Sequence, residues 1–308
     1  MKYLIPIIII LFIAVLAING NKELKMTDIK LNNLTPEEER VILDKGTEMA
    51  YSGEYDKFYD KGIYTCAQCN APLYKSEDKF NSGCGWPSFD DEITGAVKRT
   101  VDTDGRRTEI TCTNCGGHLG HVFEGENLTD KDTRHCVNSI SMDFIPGDNI
   151  KRAYFAGGCF WGVEYYMEKI DGVIGVVSGY MGGDVDDPTY RDVTSGTSGH
   201  YESVEVTYDD RKTNFEVLAK EFFEIHDPTQ ANGQGPDIGE QYKSVVFYSN
   251  EKEKIVTEKL INILKSNGYK VVTIIKQVVE FYDAEDYHQN YYENKGSLPY
   301  CHSKEKRF

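Results

Sequence analysis

The sequence has no Lys/Arg-rich stretch, no low-complexity tract and no internal repeat. With 34 basic against 50 acidic residues and a net charge of −16, the first absence argues against nucleic acid as a partner, because neutralising phosphates needs basic patches. The second leaves an ordinary globular composition, 40% hydrophobic and 27% charged. The third makes the two halves of the chain separate folds rather than copies. At 308 residues the chain is too long for one ordinary core and fits two domains.

An apolar run long enough for a membrane span is also missing. The stretch from Tyr3 to Ile18, after Lys2 and broken by Pro6, falls short of the about 20 residues a span needs. Without an amphipathic pattern it makes a poor core helix, and it resembles the apolar core of a signal peptide. Val15-Leu16-Ala17 is half of a small-residue cleavage site, and no lipid-accepting cysteine follows. Residues 1–20 therefore predict export to a periplasmic or other extracytoplasmic compartment, as a cleaved signal peptide or an N-terminal membrane anchor.

Beyond a polar tether, Thr35-Pro36-Glu37-Glu38 is a capping-box helix start, predicting a helix to about Lys45 that Gly46 ends. From Tyr51 to Phe144 come short β-prone pieces separated by Gly, Asn and Asp: 62–64, 109–111 and 139–144. They predict a mostly antiparallel β domain over 34–146. Pro146-Gly147-Asp148-Asn149 is the clearest linker. From residue 150 to 308 strands (152–156, 173–178, 202–208, 244–248, 270–277) alternate with helices (159–170, 214–226, 251–266), predicting an α+β two-layer domain.

Eight cysteines carry the chemistry. An exported chain favours disulfides, yet the uneven spacing is not that of a disulfide scaffold. Cys66-x-x-Cys69 and Cys112-x-x-Cys115 are two knuckles whose four thiolates suit a closed, structural zinc site. Two disulfides, or a redox dithiol, are the alternatives; paired knuckles favour zinc. Cys84 lies between glycines in Ser82-Gly83-Cys84-Gly85-Trp86-Pro87, a loop able to move and expose the thiol. Cys136, in Arg134-His135-Cys136-Val137-Asn138, has Arg134 and His135 as neighbours that could lower its pKa. From local sequence alone, buried thiols or a structural disulfide explain this pair equally well.

In Gly157-Gly158-Cys159-Phe160-Trp161 a thiol follows a strand and a Gly-Gly turn, and so falls in the first turn of a helix. Free N–H groups and the helix dipole there stabilise a thiolate. Phe160 and Trp161 form an apolar cradle or plain core. On the strand beginning at Glu202, that residue shares a face with Val204, Val206 and Tyr208. A carboxyl on an apolar face has a raised pKa and can serve as a general acid; the alternative is a Glu in solvent past the sheet edge. Low-pKa thiol, proton donor and greasy pocket together suit sulfoxide reduction, since the sulfur resists thiolate attack until its oxygen is protonated. The sulfenic acid so formed condenses with a second thiol.

Over 34–145 the segments Ser82–Phe89, Gly117–Phe123 and Arg134-x-Cys136-x-Asn138-Ser139 resemble B-type methionine sulfoxide reductases. The resemblance implies Cys136 as nucleophile, Cys84 as resolving cysteine, Trp86 as the wall for the substrate methyl, and His118, His121 and Asn138 lining the site. From Lys151 onward, Gly158–Glu164, Asp187–Val193, Gly199–Glu202, His226–Pro228, Gln241–Ser244 and Ala284–Gln289 resemble A-type methionine sulfoxide reductases. There the implied roles are Cys159 as nucleophile, Glu202 as acid, Tyr190 and Tyr242 bonding the sulfoxide oxygen, and Asp237 orienting the substrate. Cys301, in Leu298–His302, is implied as the resolving cysteine, and the implied fold is ferredoxin-like.

A fusion of the two types implies repair of both sulfoxide epimers, S by the second domain and R by the first. Implied partners are oxidised proteins and a thioredoxin-like dithiol reductant; one structural zinc, no organic cofactor and a monomer are expected. A general thiol–disulfide oxidoreductase would instead need a Cys-x-x-Cys opening a helix. A non-catalytic zinc adaptor would leave Trp86, Cys136 and Asn138 without a job.

Overall fold

A computed structural model describes residues 30–308; the apolar run at 3–18 lies outside them. Among the described residues no helix is long and apolar enough to cross a membrane.

The chain opens with α1 (Pro36–Ile42). Thr35 accepts from the Glu38 backbone while the Glu38 side chain accepts from Thr35, the reciprocal cap expected from the sequence. The helix stops three residues earlier than predicted, because Lys45 turns to φ 57 and Gly46 N–H already caps the Arg40 carbonyl at 2.9 Å. Nine strands follow: β1 (Gly62–Cys66), β2 (Pro72–Lys75), β3 (Lys79–Phe80), β4 (Ser88–Phe89), β5 (Val97–Val101), β6 (Thr108–Cys112), β7 (His118–Glu124), β8 (Thr133–Val137) and β9 (Met142–Pro146). They make two antiparallel sheets, β2-β1-β9 and β3-β4-β8-β7-β6-β5. Tyr64, Leu73, Tyr74, Phe89, Ile110, Leu119 and Val137, all fully buried, fill the space between; Tyr74 and Phe89 stack at 4.3 Å. Residues 139–141 form a 3-10 turn rather than the predicted strand, and the strand starts at Met142. A second such turn, Gly147–Asn149, is the linker.

The second domain runs β10 (Ile150–Gly157), α2 (Phe160–Met167), β11 (Val173–Met181), α3 (Tyr190–Thr194), β12 (Tyr201–Asp209), α4 (Phe215–Ile225), the short β13 (Gly233–Gln234) and β14 (Asp237–Ile238), β15 (Ser244–Tyr248), α5 (Glu251–Ser266), β16 (Ile274–Gln277), β17 (Phe281–Asp283) and α6 (Tyr291–Lys295). Six strands form one sheet in the order β16-β15-β10-β12-β11-β17. Every pairing is antiparallel except β15 with β16. A parallel pair needs a long crossover, and α5 supplies it. One sheet face, with Phe155, Val204 and Val206, packs on α2, α4 and α5. Leu218, Phe222, Phe223 and Ile225 of α4 are fully buried there, each contributing roughly 1.5–3 kcal/mol. The other face is covered more thinly, around Tyr154, Met181, Val245 and Phe247.

Candidate active site

All eight cysteines are free thiols, gathered in three places. Cys66 ends β1 and Cys112 ends β6, and each begins a tight turn. The N–H groups of Asn70 and Gly116 bond back to the carbonyls of Cys66 and Cys112, both at 2.8 Å, and both residues take left-handed backbone, φ 62 and 76. These turns bring the Sγ atoms of Cys66, Cys69, Cys112 and Cys115 within 4.8 Å of one another. Cys66–Cys115 and Cys69–Cys112 lie 3.6 and 3.7 Å apart. A tetrahedral zinc with Zn–S of about 2.3 Å needs an S···S edge of about 3.8 Å. The four thiols fit that ion, with no position left open, and a metal there would staple one sheet to the other. Neither pair opens a helix, as a redox dithiol of the thioredoxin kind does.

Cys84 and Cys136 form the second group, 3.7 Å apart. Cys136 is on β8, paired across to Ser88 of β4 and His121 of β7. Beside it a cavity of about 130 Å³ is lined by Trp86, Phe123, His121, Asn138, Thr47 and Arg107. Trp86 donates its indole N–H to the Glu48 carbonyl at 3.2 Å. Asn138 accepts from Glu48 N–H at 3.1 Å and donates to the Leu119 carbonyl at 3.0 Å. His121 is held by Asp102 at 2.8 Å. His118 does not line the cavity; it stands behind His121, ring centroids 5.6 Å apart. Its Nδ1 is on Glu109 at 2.8 Å, and its buried Nε2 has no protein partner.

The sequence reading of His135 needs correcting. Adjacent residues of a strand face opposite ways, so His135 points away from Cys136. It sits fully buried between the Tyr74 hydroxyl and Arg99, each at 3.1 Å, and burial pushes its pKa down to about 4. Arg134 does favour a Cys136 thiolate, but the Cys84 thiol and burial outweigh it and push Cys136 up. The Cys84 thiol is drawn the other way, down to about 4, by contact with Cys136 and then with Ser82 and Ser88. Glu48 was missed by sequence reasoning. It is buried and accepts from the Ser139 and Ile140 N–H groups, and a single acid in a loop gives no sequence signal.

The third group gathers on β12, α2 and the C-terminal tail. Cys159 is the residue before α2, one position earlier than predicted. The Trp161 N–H, free at the helix start, still reaches its sulfur. Gly158 takes φ 94 to make the turn, and a Cβ there would meet Gln234 at 2.4 Å. Glu202 is 2% exposed and accepts from Phe160 N–H at 3.2 Å. Burial, only partly offset by that N–H, pushes its carboxyl up to about 8. Tyr242 lies near enough to influence Glu202 and Tyr190, and burial lifts Tyr190 to about 12 and Tyr242 higher still, so both phenols carry protons. Asp237 touches Cys301 and keeps one buried oxygen without a partner.

Cys301 contacts Cys159. As in the first domain, the expected nucleophile is the higher of the pair. Cys159 is raised by the Cys301 thiol, burial and Glu202. Cys301 is held to about 5 by the Cys159 thiol and by His302. An aromatic wall closes one side: Trp161 stacks on Tyr291 at 3.7 Å and donates to His288 at 3.1 Å. Phe160 and Tyr190 lie 5.1 and 4.4 Å from the same imidazole. His288 and Tyr291 were not singled out from the sequence, although His288 stands in the motif Ala284–Gln289.

Residues 151–308 match the family model described as peptide methionine sulfoxide reductase, and residues 34–146 match the SelR domain. Peptide methionine sulfoxide reductase B5 of Oryza sativa subsp. japonica is 60% identical over 114 residues, 37% of this chain and 84% of that relative. Peptide methionine sulfoxide reductase B2, chloroplastic, of Arabidopsis thaliana is 61% identical over 114 residues, and the chain spans 56% of its length. Peptide methionine sulfoxide reductase MsrA of Vesicomyosocius okutanii subsp. Calyptogena okutanii (strain HA) is 46% identical over 152 residues, 49% of this chain and 91% of that relative. The chain belongs to the methionine sulfoxide reductases, with a B-type (SelR) domain at 34–146 joined to an A-type domain at 151–308.

Proposed function

We propose that this chain reduces both epimers of methionine sulfoxide in oxidised proteins, the S epimer in the domain at 150–308 and the R epimer in the domain at 34–146. The carrying observation is that each domain sets a contacting pair of thiols beside its own aromatic wall and hydrogen-bond donors.

In the second domain the sulfoxide oxygen is placed by Tyr190, Tyr242 and Glu202, and the methyl by Phe160 and Trp161, with Asp237 orienting the substrate. Glu202 keeps its proton near pH 7 because its pKa is pushed to about 8, so it can protonate that oxygen as Cys159 attacks. Oxygen passes from the methionine sulfur to Cys159; methionine is reduced by two electrons and Cys159 becomes a sulfenic acid. Cys301 then displaces the hydroxyl as water to give a Cys159–Cys301 disulfide. In the first domain Cys136 attacks and Cys84 resolves, with Trp86 holding the methyl and His121 and Asn138 the polar end. His118 serves there by bracing the His121 ring from behind. A thioredoxin-like dithiol resets both disulfides by exchange.

Cys66, Cys69, Cys112 and Cys115 would hold one zinc, which supplies folding energy and takes no part in a reaction step. The central strand order β15-β10-β12-β11, with α2 and α4 as the crossings, supports the ferredoxin-like reading of the second domain. Residues 1–20 export the chain, as a signal peptide or an anchor, and it works as a monomer. The test is turnover of each resolved epimer by the full chain with dithiothreitol: methionine should form from both, and a chain that leaves either one untouched contradicts the two-epimer assignment.

A further inference from the structure

The tail carries more than a second thiol. His302 is 4% exposed and its ring lies against the first turn of α2. A Cβ on Gly162 would fall 2.2 Å from His302 Nδ1 and 2.8 Å from Cγ, so this helix position admits the imidazole only as glycine. At the other edge His302 Nε2 donates to the Gly157 carbonyl at 2.7 Å. A carbonyl only accepts, so the neutral ring carries its proton on Nε2 and presents a lone pair on Nδ1. That nitrogen is 3.1 Å from Cys301 Sγ, and Cys301 in turn lies beside Cys159. Imidazole, second thiol and first thiol are thus neighbours in that order, with the base oriented by a third group, as in activated-nucleophile sites generally.

We infer that His302 is the general base of the resolving step, taking the Cys301 thiol proton on Nδ1 as Cys301 attacks the Cys159 sulfenic acid. The inference rests on the proposed roles of Cys159 and Cys301. The S–S bond forms, the Cys159 S–O bond breaks, and the hydroxide takes up a proton and leaves as water. The imidazolium releases its proton to solvent, so the net loss is one water and no outside oxidant is used. The base matters at this stage in particular. In the reduced pair the Cys159 thiol is the largest influence drawing the Cys301 pKa down, and that thiol has been consumed once Cys159 carries oxygen. Asp237 lies near the same sulfur, as does Glu202, which is a carboxylate once it has given its proton to the sulfoxide oxygen, and both then disfavour a free thiolate there. Of the other groups near the ring, Gly157, Gly158 and Gly162 are uncharged, and His226 is pushed down to about 3 by burial.

The test is a single turnover of the full chain with the S epimer and no reductant, following methionine release, sulfenic acid trapped by dimedone, and the Cys159–Cys301 disulfide by mass. His302→Gln keeps a donor for the Gly157 carbonyl and cannot take a proton. It should release methionine at the wild-type rate, form disulfide about 100-fold more slowly, and let dimedone-labelled Cys159 accumulate. Disulfide formation at the wild-type rate in His302→Gln would overturn the inference and leave a purely positioning role. His302→Gly is the second arm if Gln perturbs the tail: free imidazole should restore its disulfide rate, and no response to imidazole overturns the inference. A methionine burst that survives Cys159→Ser overturns the nucleophile assignment itself, and this inference with it.

Discussion

Replacing Glu202 by Gln should make the second domain more stable and nearly inactive at once. The carboxyl is 2% exposed and its pKa is pushed from 4.5 to about 8. Between those values the folded domain holds a proton that the unfolded chain has lost, so stability falls as pH rises through the window and levels off above it. At 1.36 kcal/mol per pKa unit, the raised pKa of Glu202 opposes folding by about 3 kcal/mol at pH 7 and about 5 kcal/mol at pH 9, against less than about 1 at pH 5. Gln keeps the acceptor for Phe160 N–H and never ionises. Urea denaturation followed by Trp161 fluorescence, in a Trp86→Phe background that silences the only other tryptophan, reads this domain alone. The gain from Glu202→Gln should grow from near zero at pH 5 to several kcal/mol at pH 9. S-epimer turnover should drop about 10²- to 10⁴-fold, with R-epimer turnover unchanged. A gain that does not vary with pH, or S-epimer turnover close to wild type, would refute the reasoning that burial keeps this acid protonated for catalysis.

The metal centre makes a separate prediction: one zinc per chain by atomic absorption, and Cys112→Ser should lose it and unfold the first domain, abolishing R-epimer turnover while S-epimer turnover persists. Glu48→Ala would leave the Ser139 and Ile140 N–H groups buried without partners, costing about 1–3 kcal/mol each. Its mark should be a lower urea midpoint for the Trp86 signal and a raised KM for the R epimer. Trp86→Ala removes the wall beside Cys136, so KM for the R epimer should rise by tenfold or more while the zinc content stays at one.

How much was legible follows the range of the interactions. Glu202 could be read from strand alternation, because a period of two fixes which face a side chain takes. Cys159 could be read from a Gly-Gly turn ahead of a helix, and the zinc cysteines from spacing within two local turns. What depends on distant chain was hidden. The strands β7 and β8, which carry His121 and Cys136, went unseen because Gly-His-Leu-Gly-His and Arg-His-Cys-Val-Asn have little β propensity of their own; pairing with neighbours makes them strands. The same pairing turns His135 away from Cys136. Neither the pairing of Cys159 with Cys301 nor the wall of His288 and Tyr291 could come from local text, since over a hundred residues separate them from α2. Glu48 and His302 act by meeting backbone groups far away in sequence, and no pattern marks such contacts.

The central claim is that two independent thiol sites divide the epimers between them. Epimer-resolved kcat/KM for Cys136→Ser and Cys159→Ser in the full chain tests it most directly. Cys136→Ser should abolish turnover of the R epimer and leave the S epimer at the wild-type rate; Cys159→Ser should do the reverse. Loss of both activities from either single change would contradict the account.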